Sequence, residues 1–160
     1  MKKRYIIISF IIIMFLCISF IFGNSMKNAV ESTSQSGMAK MIVDAVLDFL
    51  HIDIEISEAG IRMMGHFAEF FILSLVLSVY ALLIFPFSFK KPSDNTLFIY
   101  FSPIVISTLV AFIDEFIQFF TPGRACDIKD VLVDFLGATS ANLIVMGIVF
   151  IIYTIRKRKD

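Results

Sequence analysis

Four apolar runs alternate with shorter polar stretches along this chain. The first, Tyr5–Phe22, follows Lys2, Lys3 and Arg4. It is close to the ~20 residues that cross a bilayer and longer than the ~7–15 of a leader's apolar core. It is therefore read as an uncleaved first transmembrane helix (1–23), although its end, after Gly23 or Ser25, also suits a cleavage site. Asn24–Gly37 is rich in Ser and lacks periodicity, which predicts a loop. Met38–Leu50 then turns amphipathic. Lys40, Asp44, Asp48 and His51 form a polar stripe opposite Met38, Met41, Ile42, Ala45, Phe49 and Leu50. This stretch is too short to span. It suits a helix lying in the membrane interface, or one packed on the outer end of a bundle.

The second span runs from Ala59 or Gly60 to Phe85, with Pro86 as its stop. Lys90, Lys91, Pro92, Ser93 and Asp94 make a short loop. The third span runs from Leu97 to Phe120, with Pro103 in its first turns as a candidate kink. Pro122-Gly123 signals a turn. The fourth starts near Asp127, reaches Tyr153 or Ile155, and is stopped by Arg156, Lys157, Arg158 and Lys159. The expected fold is all-α: an integral membrane helical bundle of four transmembrane helices plus a short amphipathic interfacial helix. Residues 24–58 form the first loop with its amphipathic helix, 59–155 a three-helix core and 156–160 a basic tail.

Composition agrees. The chain is 58% hydrophobic and 18% charged, against roughly 45–50% and 25% in soluble domains. Its mean hydropathy is +0.88. Charge placement adds orientation. The basic ends are the start, the Lys90-Lys91 loop and the tail, and all belong on the cytoplasmic side. Four spans with both termini cytoplasmic satisfy all three, and the Thr121–Cys126 turn then faces outside. No basic face exists for nucleic acid. Cys17 and Cys126 form neither a disulfide framework nor a zinc spacing.

The remaining polar residues gather at the outer ends of the last three spans. Arg62, His66 and Glu69 share one face of the second. Asp114 and Gln118, with Glu115 beside them, share a sector of the third. Asp127, Asp130 and Asp134 share a face of the fourth, continued by the small residues Gly137 and Ala141. Exposing these stripes to lipid is costly, so they are expected to turn toward each other or toward water. With Arg124, they would line an outward-facing polar pocket. Its six acids outnumber its two arginines, leaving excess negative charge unless some acids are protonated or a cation binds. Arg124 is the expected bidentate partner of a carboxylate. Simpler roles exist for several residues. Asp127 can cap the fourth helix, and Asp130 suits its first turn. Arg62 can anchor at the interface, and His66 and Glu69 can form one structural pair.

These residues resemble the VanZ-like family of bacterial membrane proteins. The family's pattern is an acidic pair, a Gln, Pro-Gly-Arg, Asp-Ile-x-Asp-Val, an Asn or Asp, and Gly. It reads here as Asp114-Glu115, Gln118, Pro122-Gly123-Arg124, Asp127-Ile128-Lys129-Asp130-Val131, Asp134 and Gly137. An upstream His-Phe pair is matched by His66-Phe67, and the likeness covers Arg62 to Val145. Asp134 stands where Asn is frequent, and Ala141 where a second Gly is often seen. The resemblance implies a cell-envelope protein. The name-giving member is associated with low-level resistance to the glycopeptide teicoplanin.

Three functions are compatible with the residues. One is an envelope protein binding a cell-wall precursor, a lipid-linked group or a glycopeptide. Another is a membrane enzyme using Asp114, Glu115 and His66 as acid–base groups. The third is a structural or ion-coupled subunit. No Walker loop, zinc signature or Ser-His-Asp order is present, so no resident cofactor is expected, while the acids could hold a divalent cation. The lipid bilayer is the certain partner, and the sequence does not set an oligomeric state.

Overall fold

A computed structural model describes residues 2–85 and 94–158. The expectations placed on Pro86, Lys90, Lys91, Pro92, Ser93 and Lys159 lie outside the described residues. All regular structure among the described residues is helical: α1 (Lys2–Ser25), α2 (Ala29–Phe49), α3 (Glu58–Ile84), α4 (Asp94–Phe119) and α5 (Ile128–Lys157). Four of them, α1, α3, α4 and α5, are long and apolar enough to cross a membrane. The protein is a multi-pass helical membrane bundle.

The expected loop over Asn24–Gly37 is corrected. α1 continues through Ser25, and α2 begins at Ala29 rather than Met38. The signal was a capping box. Asn28 accepts a bond from the Glu31 N–H at 3.0 Å, and the Glu31 carboxylate accepts the Asn28 N–H at 3.3 Å. A Ser-rich stretch follows without apolar periodicity, so a pattern search passes over it. The far end of α2 is also corrected. His51 lies beyond the helix, in the left-handed region at φ 58°. His51 N–H donates to the Asp48 carbonyl and Ile52 N–H to the Leu47 carbonyl, which is the two-bond Schellman closure. Asp94, expected in a loop, opens α4.

The bundle is apolar outside, and its interior mixes large apolar side chains such as Phe70, Leu73 and Ile99 with many small or polar ones. Large apolar side chains such as Phe15, Ile72, Leu109 and Ile151 are exposed. The buried positions include Ser74, Ser78, Ser107, Ala111, Ala138, Ala141 and Asn142. Lipid is as apolar as Leu, so helices associate there through close backbone approach and hydrogen bonds instead. α3 packs most extensively on α5, and α4 and α1 close the bundle.

Three hydrogen bonds stitch the middle of the bundle. Ser74 Oγ donates to the Ala138 carbonyl at 2.8 Å, and Ser78 Oγ to Asn142 Oδ1 at 2.9 Å. Asn142 Nδ2 donates to the Tyr100 carbonyl at 2.7 Å, tying α5 to α4.

Gly137 sets the distance between α3 and α5. A Cβ there would collide with the Phe67 carbonyl oxygen and approach Phe71 N to 3.2 Å. Gly147, on the same helix, has nothing within 4 Å of an added Cβ. Gly137→Val should therefore lower stability by about 1–3 kcal/mol, the range for overpacking. Gly147→Val should stay near wild type. Unfolding midpoints of the two variants in the same detergent check this.

Candidate functional site

Helix direction brings the polar residues together. α1 and α4 end, and α3 and α5 begin, at one end of the bundle. α5 has 30 residues, which is about 45 Å at 1.5 Å per residue. The hydrocarbon core needs only ~30 Å, so the first turns of α5 can sit at headgroup depth. Asp127 caps this helix, accepting the Lys129 N–H at 2.9 Å. The turn before it, Thr121–Arg124, closes with an Arg124 N–H to Thr121 carbonyl bond of 3.1 Å. Pro122 and Gly123 occupy its central positions, and Gly123 takes φ +75°, as a type II turn requires.

Within this end the acids lie deep. Asp114, Glu115, Asp130 and Asp134 are buried, as are His66 and Gln118, while Glu69, Arg124 and Asp127 are half-buried. Arg62 is the most open, with 46% of its side chain exposed, and its Nη2 lies 3.8 Å from Asp130 Oδ2. His66 Nδ1 lies 3.3 Å from Asp134 Oδ1. Both contacts join α3 to α5. Asp114 accepts from Ser25 Oγ and, at 2.8 Å, from Gln118 Nε2. Glu115 Oε2 accepts the Asp127 N–H at 2.8 Å. The ten residues expected from sequence thus occupy one region.

The expected Arg124–carboxylate pairing and the alternative His66–Glu69 pair are not made. Arg124 has no carboxylate within ion-pair distance among the described residues. It donates instead to the Asn24 carbonyl at 3.3 Å. Burial and the neighbouring Arg62 charge push its guanidinium below the usual value. It remains a cation, since arginine keeps its charge in proteins. His66 does not pair with Glu69 either. Glu69 Oε1 accepts from Asn24 Nδ2 at 2.7 Å.

Asn24 and Ser25, at the end of α1, are site residues the sequence reading missed. Thr121 joins them, donating to the Ser25 carbonyl at 3.0 Å. The Asn-Ser pair directly after an apolar run was the available signal. It looked like the start of a loop, because spacing says nothing about which helix an end will meet.

Three cavities open here. One of about 140 Å³ lies between α2 and α3 and is lined by Ser32, Ser36, Arg62, His66, Glu69 and Arg124 among others. A second, of about 370 Å³, shares Ser32, Ser36, Arg62 and Arg124 with it and reaches Gln118 and Asp127. A third, of about 260 Å³, is an apolar groove between α1 and α3 that includes Phe20, Ile21 and Ile72. It shares Gly65 and Glu69 with the first. The cavities thus carry two arginines, the carboxylates of Glu69 and Asp127, hydroxyls from α2 and an apolar cleft at one side. Asp114, Glu115, Asp130 and Asp134, expected from sequence to line the pocket, line none of the three, because they are buried between the helices.

Ser25 should hold α1 to this end. Ser25→Ala leaves an Asp114 oxygen without its donor, and an unpaired buried acceptor costs about 1–3 kcal/mol. The expected result is a lower unfolding midpoint in detergent, with faster amide exchange over the last turns of α1 than over α5.

Comparison with known proteins follows the same residues. No curated protein and no solved structure matches the chain. A family profile described as VanZ/LLP1 matches residues 10–153, taking in most of α1, all of α2, α3 and α4, and nearly all of α5. That span contains every residue of the site, and the chain belongs to the VanZ-like family.

Proposed function

We propose that this protein binds a lipid-linked or cell-wall group carrying negative charge, at the outer face of the cell membrane. One observation carries the reading. The arginine-rimmed cavity and the apolar groove between α1 and α3 meet at Gly65 and Glu69. A lipid-linked group has the same two parts, a charged head and an apolar chain. Arg62 and Arg124 can donate forked hydrogen bonds to a phosphate or carboxylate. Ser32 and Ser36 offer further donors, and the groove opens between two membrane-spanning helices. The outer placement rests on the basic ends at Lys2–Arg4 and Arg156–Arg158, which belong on the cytoplasmic side. Envelope precursors and wall polymers are met on the other face. Family membership extends the proposal to a part in teicoplanin susceptibility.

Gly65 provides the test. Nothing lies within 4 Å of a Cβ added there, and Gly is among the poorest helix residues. Gly65→Phe should fold normally and fill the junction of cavity and groove. Arg124→Ala should remove a charge-assisted bond of ~1.5–3 kcal/mol, or about tenfold or more in affinity. Wild-type protein extracted from membranes should retain an anionic lipid in native mass spectrometry, and both variants should lose most of it. Cells expressing the variants should also lose any teicoplanin tolerance that the wild-type chain confers. Equal lipid retention by wild type and Gly65→Phe would sink the proposal.

A further inference from the structure

Below the arginines, several buried polar atoms have no hydrogen-bond partner. They are His66 Nδ1, Glu115 Oε1 and both carboxylate oxygens of Asp134. These side chains are not solvated: His66 is 7% exposed, Glu115 1% and Asp134 0%. Buried polar groups are ordinarily satisfied, and a buried unpaired carboxylate is especially unfavourable. The contact between His66 Nδ1 and Asp134 Oδ1 does not settle this. At 3.3 Å it is close enough for charge attraction but lacks hydrogen-bond geometry.

Charge points the same way. Asp114, Glu115, Asp130 and Asp134 are all buried at this level. Arg62 reaches only Asp130, and from 3.8 Å. Among the described residues no Lys or Arg lies within ion-pair distance of the other three, and only His66 stands beside Asp134.

The arrangement has donors that could supply a cation site. One ring nitrogen of His66 and one carboxylate oxygen each from Asp114 and Glu115 lie within 4.8 Å of one another. Ligands of a single divalent cation stand about 3–4 Å apart for metal–ligand bonds of ~2.0–2.2 Å. Side-chain adjustments of about an ångström would bring these three to that spacing. The supporting bonds are already present. Ser25 and Gln118 hold Asp114, and the Asp127 N–H holds the second oxygen of Glu115. Asp134 Oδ1 stands 3.3 Å from His66 Nδ1, and a small ring rotation on metal binding would form the N–H to carboxylate bond that orients a ligating imidazole, leaving Nε2 as the ligand.

We propose that His66, Asp114 and Glu115 bind one divalent transition cation, with Asp134 positioning His66. One nitrogen and two carboxylate donors suit Zn²⁺ or Mn²⁺ better than the all-oxygen preference of Ca²⁺ and Mg²⁺. The proposal stands apart from the lipid reading, because its readout is metal content.

The full chain is purified in detergent, stripped with chelator and dialysed against Zn²⁺, Mn²⁺, Mg²⁺ or Ca²⁺. Metal per chain and the thermal midpoint are measured for each. The expected result is near one Zn²⁺ or Mn²⁺ per chain, with a raised midpoint. Glu115→Gln keeps an acceptor for the Asp127 N–H, and this variant and His66→Gln should each lose at least tenfold in metal affinity. His51→Ala, at the exposed end of α2, should bind like wild type. Circular dichroism and gel filtration establish that each variant is folded. No stoichiometric Zn²⁺ or Mn²⁺, binding of Mg²⁺ or Ca²⁺ alone, or equal affinity in folded Glu115→Gln and wild type would each overturn the proposal.

Discussion

The contact of Gly137 with the Phe67 carbonyl fixes the register on which the site depends. α3 and α5 run in the same direction, so one close approach sets a ladder of partners along both. Arg62 falls beside Asp130 and His66 beside Asp134, each pair one turn from the other. Further along, Ser74 meets Ala138 and Ser78 meets Asn142. A Cβ at Gly137 would push the helices apart, lengthening every rung. The same residue therefore holds the bundle together and sets the distances between the acids and their cations.

The charges form layers. Asp114, Glu115, Asp130 and Asp134 lie in a water-poor interior, where the interaction between charges is strong. Arg62 and Arg124 lie nearer the opening, with the hydroxyls of α2 above them. Arg124 is held by the Asn24 carbonyl rather than by an acid. Its charge is therefore not cancelled by a tight ion pair and remains directed toward the cavities.

Much of this was legible from sequence. A period of 3.6 residues reports which side chains share a helical face, so the stripes on α3, α4 and α5 could be read directly. Apolar run length reported the spans. Periodicity does not report which stripe meets which, so it points Arg124 toward an acid and leaves a His66–Glu69 pair open as one alternative. It also treats a helix end as an end. Asn24 and Ser25 belong to the site only because α1 returns to the same side as the turn after α4. The start of α2 was written in the sequence as Asn28 and Glu31, but in the language of capping rather than of apolar spacing.

The buried serines, alanines and Asn142 also decide how this bundle responds to temperature. A soluble domain exposes apolar surface to water when it opens, and the accompanying heat-capacity change bends its stability curve. Separation of α3 from α5 within a bilayer would uncover Ser74, Ser78, Ala138 and Asn142 to lipid, with little new contact between hydrocarbon and water. Helix separation should then carry a small heat-capacity change, giving a nearly straight stability curve with no weakening on cooling. Calorimetry in bilayers that returned a soluble-domain value would show that the helices leave the membrane when they part.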